Sequence, residues 1–110
     1  MSVKIGVVGS VNLDLVASGA ALPRAGETVT GAKFSQHPGG KGANQALAAQ
    51  RLGADVFMVG RTGDDALAEP ALELLRRDGV DMSRVMSEIG QSTGVALISV
   101  APDGENQITV

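Results

Sequence analysis

The sequence contains no cysteine, tryptophan or tyrosine, one histidine and two phenylalanines. Without cysteine there is no disulfide and no thiolate metal site, which agrees with a reducing compartment. With only two aromatic residues there is no stacking platform for single-stranded nucleic acid. A net charge of −3 and a pI near 4.9 leave no basic footprint for a phosphate backbone. No apolar run approaches the roughly 18 residues needed to cross a bilayer. The opening Met1-Ser2-Val3-Lys4-Ile5 reads as the start of a strand, not as a signal peptide. The expectation is a cytoplasmic protein that binds neither nucleic acid nor membrane.

What is present suits one modest folded domain: 110 residues, 44% of them hydrophobic, drawn mainly from Val, Ile, Leu, Ala and Met. Val3 to Val8 is an apolar run ending at Gly9, as in a buried strand. Asn12 and Asp14 follow two apart on extended chain, so their side chains share a face. A Gly/Pro/Ala-rich connection spans 17–27, and Thr28 to His37 reads as a second extended piece stopped by Pro38. The pattern predicts a helix over 43–52 with Gly53 as its stop, then a strand over 56–59. Thr62-Gly63-Asp64-Asp65 offers N-caps for a helix that begins near Glu69, where Pro70 is tolerated, and runs to about Asp78. Strand, helix, strand, helix in this order indicates right-handed crossovers and a parallel sheet. Gly94 to Val100 and Glu105 to Val110 then form a hairpin turning at Asp103-Gly104. No internal repeat, low-complexity tract or flexible linker interrupts the chain.

Gly39-Gly40-Lys41-Gly42-Ala43-Asn44 is the strongest local signal. A glycine loop entering a helix exposes backbone N–H groups where the helix end favours anions and oxygen-rich ligands. A P-loop is excluded because Gly42, not Ser or Thr, follows Lys41, and no glycine occupies the required upstream position. A dinucleotide fingerprint is excluded because Gly6 and Gly9 have the wrong spacing. Taken alone, the loop also fits a tight strand-to-helix turn, and Asn12 and Asp14 fit a turn or cap. Asp64-Asp65 reads as a capping pair and not a metal pair. His37 has no evident triad partner and reads as a lid or loop residue. Arg76-Arg77-Asp78 is a charged helix end.

Five blocks in order resemble the ribokinase, or phosphofructokinase B, family of sugar kinases. They are Gly9-Ser10-Val11-Asn12-Leu13-Asp14, Pro23 to Gly31, the glycine loop with its helix, Thr62-Gly63-Asp64-Asp65, and Ser92 to Ile98. The likeness runs from about Ile5 to Val110. It implies a Rossmann-like three-layer α/β/α domain with a small β-sheet lid, of which residues 1–110 are the N-terminal part. Lid strands are expected near 14–17, 28–37 and 94–110. It implies that Asn12, Asp14, Gly40, Lys41 and Asn44 bind the substrate, that Ala96 and Val110 cover it from the lid, and that two lids pair in a homodimer.

The implied activity is ATP- and magnesium-dependent phosphorylation of a small sugar, D-ribose at its 5-hydroxyl, with K+ as a further implied ion. Fructokinase, nucleoside kinase and a non-catalytic sugar-binding or dimerisation fragment are the alternatives. A nucleoside kinase is expected to offer more aromatic surface for a base. The family's Gly-Ala-Gly-Asp motif, which supplies the base and the phosphate-binding N–H groups, does not occur in this sequence. No catalytic or metal-binding residue is therefore expected here, the nucleotide and cation sites are expected mainly in a C-terminal half, and the segment alone is expected to be inactive. An orphan fragment unable to fold is a third reading, since a parallel sheet lacking later strands exposes its edges.

Overall fold

In the computed structural model, residues 2–110 are described. They form β1 (Lys4–Val8), β2 (Asn12–Ser18), β3 (Lys33–Gly39), α1 (Lys41–Arg51), β4 (Asp55–Gly63), α2 (Ala68–Arg77), β5 (Asp81–Glu88), β6 (Gly94–Val100) and β7 (Asn106–Thr109). The elements make two sheets. One is parallel, in the order β1-β4-β5; the other is mixed, in the order β3-β2-β6-β7.

The parallel sheet carries both helices on one face. Val56 and Met58 of β4 alternate inward and join Ala43 and Ala46 of α1 with Ala71, Leu72 and Leu75 of α2 in one buried cluster. Complete burial of side chains as large as Met58 stabilises by about 1.5–3 kcal/mol each. The opposite face is largely uncovered: Val8 is 80% exposed and Met86 53%, and the Arg84 guanidinium lies 4.6 Å above the Phe57 ring centroid. Among the described residues the expected three layers are thus represented by two.

Small residues let α1 approach β1 closely. A Cβ on Gly42 would lie 2.7 Å from the Gly9 Cα, and one on Gly60 would lie 2.9 Å from the Gly9 carbonyl oxygen. Ala43 N–H donates to the Ser10 carbonyl at 3.1 Å, which fixes the helix start against the exit from β1. At the other end Gln50 joins three elements. Its Nε2 donates to the Asp78 carbonyl, and its Oε1 accepts from Val56 N–H, both at 3.1 Å. Arg51 Nε donates to the Asp78 carboxylate at 2.5 Å, and this bond is the main cause holding the Asp78 carboxyl below its ordinary range.

Three sequence expectations need correction, and one strand went unread. The second extended piece is β3, which begins at Lys33 instead of Thr28 and runs through Pro38 opposite Leu13. Proline is tolerated because β3 is an edge strand, where a missing N–H costs no ladder bond. Helix α1 starts at Lys41, two residues earlier than expected, because Gly40 at φ 99° makes the sharp turn. The first inner strand, expected over 56–59, is β4 and extends to Gly63. Strand β5 went unread because Asp81-Met82-Ser83-Arg84-Val85-Met86-Ser87-Glu88 lies at a sheet edge and lacks regular apolar alternation. The β6–β7 hairpin forms as expected, with Gly104 in the left-handed region at φ 90°.

Gly42→Ala should destabilise the chain by about 1–2 kcal/mol in urea unfolding, because overpacking against backbone outweighs the gain in helix propensity. Acid unfolding should report the Asp78 contact. Its lowered pKa contributes stability that is fully present above the unfolded value near 4 and is lost as pH falls through the folded value. Arg51→Ala should therefore be less stable than the parent at pH 7, and the gap should close below about pH 4.

Candidate functional site

Three chain segments meet at the seam between the two sheets. Chain leaving β1 crosses at Gly9-Ser10-Val11 into β2, β3 ends at Gly39 and turns into α1, and β6 starts at Gly94. Register places Gly39 and Gly94 on either side of Asn12 in one row. The next row on the same face holds His37, Asp14 and Ala96.

This arrangement creates a polar pair on a small-residue floor. A Cβ on Gly39 would stand 2.6 Å from both Asp14 carboxylate oxygens, and one on Gly94 would stand 2.5 Å from Asn12 Oδ1. The two glycines therefore leave the space that these side chains occupy. Ala96, 5% exposed, continues the floor. Asp14 supplies acceptors only, whereas Asn12 supplies both donors and acceptors, a combination that matches vicinal hydroxyls.

Helix α1 closes one side of the site. Gly40 is its N-cap, and a Cβ there would lie 2.5 Å from the Ser10 carbonyl oxygen, so the turn has room for glycine alone. The first-turn amides of Lys41 and Gly42 have no intrahelical acceptor, and the first turn holds no acidic residue to offset their partial positive charge. Lys41 and Asn44 are exposed on this turn. Gly40, Lys41, Asn44, Asn12 and Asp14 thus gather around the same seam.

The structure also places Val110 and the Asp64-Asp65 pair. Val110 lies one residue past β7 and is 86% exposed; extending the Leu97–Thr109 register by one step sets it beside Ala96. The N-cap of α2 is Leu67, not Asp64 or Asp65, although Asp65 Oδ1 accepts from the Leu67 N–H at 3.2 Å. Asp64 accepts from Gly90 N–H at 3.0 Å, and Asp65 accepts from Thr93 N–H at 2.9 Å and Thr93 Oγ1 at 2.6 Å. One Asp64 oxygen and both Asp65 oxygens thus accept from the loop before β6. No group of three or more His, Cys, Asp or Glu side chains among the described residues could hold a metal ion.

His37 and Ser10 were given no role by motif spacing. His37 sits across from Asp14 in register and contacts Ser35 Oγ at 3.2 Å. Only the true extent of β3 reveals that pairing. Ser10 acts through its carbonyl, which leaves no mark in a side-chain pattern.

Gly94→Ala tests the floor directly. Gly94 has no positive φ, and the nearest obstacle is the movable end of Asn12. Stability should change by less than about 1 kcal/mol, while the Asn12 side-chain amide resonances should shift as Oδ1 is turned away.

The sequence matches the pfkB family carbohydrate kinase profile over residues 3–110. It is 47% identical over 104 residues to a ribokinase of Bacillus subtilis and 46% identical over 112 residues to one of Schizosaccharomyces pombe, covering 94% and 96% of this chain. In both cases the chain spans only 35% of the relative's length. Among solved structures, Arabidopsis thaliana ribokinase complexed with ribose and ATP superposes with a TM-score of 0.86 at 37% identity, over 99% of this chain and 36% of that one. Ribokinase from Cryptococcus neoformans in complex with ADP gives 0.81 at 38% identity, over 98% of this chain and 34% of that one. The parallel sheet, the mixed lid-like sheet and the glycine-turned helix between them follow from membership that the match over residues 3–110 makes plain: this chain belongs to the pfkB family of carbohydrate kinases.

Proposed function

We propose that this chain is the sugar-binding and lid portion of a kinase that transfers the γ-phosphoryl group of ATP to the 5-hydroxyl of D-ribose. The observation that carries the reading is the Asn12–Asp14 pair held over Gly39 and Gly94 beside the α1 N-terminus. Asp14 accepts hydrogen bonds from two neighbouring hydroxyls, and Asn12 and Asn44 donate to and accept from others. The Gly40 backbone approaches the ring, and Ala96 and Val110 cover its apolar side. Such a set discriminates sugars, because a missing hydroxyl leaves a desolvated polar group unpaired.

Lys41 stands at the positive end of α1, where charge on a transferred phosphoryl group is stabilised. ATP, magnesium and a monovalent cation are assigned to the part of the kinase that corresponds to the remaining length of the relatives. One Asp64 oxygen accepts from Gly90 N–H, both Asp65 oxygens accept from Thr93, and no third ligand joins them among the described residues, so no step is routed through a metal here. ATP supply fits a cytoplasmic setting. A homodimer through the lids is part of the proposal: Phe34 and Leu97 are 67% and 53% exposed on one face of the mixed sheet, and Ile108 is 57% exposed on the other.

Calorimetric titration of this chain should give binding of D-ribose in preference to D-fructose and adenosine. Asp14→Asn should weaken ribose binding about tenfold, the effect of losing a charge-assisted hydrogen bond. No ribose phosphate should form with this chain alone and ATP. Preference for fructose or adenosine would reject the ribose assignment, and unchanged affinity in Asp14→Asn would reject the site.

A further inference from the structure

The Asp65 carboxylate makes the densest polar junction outside the sugar site. Its oxygens accept from Thr93 N–H, Thr93 Oγ1 and, at 3.2 Å, Leu67 N–H. Thr93 Oγ1 in turn accepts from Gly63 N–H at 3.0 Å, and Thr93 is 2% exposed. Packing confirms how tight the junction is. A Cβ on Gly63 would lie 2.5 Å from Thr93 N and still closer to the Gln91 carbonyl oxygen. Beside it Asp64 holds Gly90 N–H, and Ser87 Oγ donates to the Gly63 carbonyl at 3.2 Å. The segment before β6 is therefore clamped to the end of β4 and the entry to α2.

The clamp leads directly into the site. Gly94, the residue after Thr93, pairs with Asn12 and leaves the space for its Oδ1, and Ala96 pairs with Asp14. We infer that Asp65, acting through Thr93, is a positioning residue that fixes where the lid strand β6 leaves the parallel-sheet body, and so sets the placement of Asn12 and Asp14 toward a sugar. The inference rests on the sugar-site reading for its functional consequence, but not for its geometry. The Asp65 carboxyl is held below its ordinary range chiefly by the Thr93 hydroxyl, so the clamp is ionised at neutral pH. A charged acceptor with three donors forms stronger bonds than neutral partners would, which suits a fixed pivot.

Amide hydrogen exchange on this full chain tests the clamp without any ligand. In Asp65→Asn the amides of Thr93 to Leu97 should exchange about tenfold faster, while Val56 to Met58 in β4 keep their rates. The Asn12 side-chain resonances should shift in the same variant. Thr93→Val, which keeps the shape and loses the hydroxyl, should reproduce the effect, and Thr93→Ser should restore the parent rates. If Asp65→Asn does not fold, the Thr93→Val and Thr93→Ser pair decides by the same readout. Uniform acceleration across both sheets, or no change in β6, would overturn the inference. D-ribose titration then separates the two claims. Failure of the parent chain to bind ribose would reject the sugar site while the exchange contrast still decides the clamp. Parent binding that is unchanged in a variant with loosened β6 would reject the clamp's role in positioning.

Discussion

Everything in this chain depends on how closely the first turn of α1 can lie against the crossing from β1 to β2. That approach is a backbone-to-backbone contact, Gly42 on Gly9, sealed by the Ala43 N–H bond to the Ser10 carbonyl. Were the helix held farther out, its N-terminal amides would sit away from Asn12, and the two sheets would lose their common seam. The contact contributes through exclusion: the absence of side-chain atoms at a few positions lets dipoles and polar groups converge. Packing energy comes from elsewhere, in the Val56–Met58 cluster beneath the helices.

The division of labour between the sheets follows from their surroundings. The parallel sheet is covered by α1 and α2 on one face, and its central strand β4 carries the best-buried side chains. In the mixed sheet, α2 packs against β2 and β3 and Leu13 is buried, whereas its distal residues are exposed on both faces. Asn12 and Asp14 stand where these two sheets meet.

Much of this was legible in the sequence because the signals were local. The glycine loop and the Asp103-Gly104 turn state their geometry within a few residues, and the apolar run to Val8 states a strand, though at a sheet edge with Val8 exposed and not buried as expected. The face shared by Asn12 and Asp14 followed from strand periodicity. What stayed hidden was set at a distance. Strand β5 is polar because its neighbours cover only part of it, so no alternation marks it. Pro38 read as a stop because its tolerance depends on β3 lying at an edge, which only the assembled sheet reveals. Asp65 looked like a helix cap because its partner Thr93 is 28 residues away. The pairing of His37 with Asp14 needed the register of a strand whose start was misplaced.

The parallel pairing of β2 with β6 has a consequence for the birth of the fold. These strands come from opposite ends of the chain, so the mixed sheet has high contact order and closes only after nearly all of the segment is available. During synthesis β2 and β3 can meet early as an antiparallel pair, but the other edge of β2 waits for β6, open to any passing strand. Asn12 and Asp14 thus precede Gly94 and Ala96, their register partners on β6, in time, and the row they share is completed last.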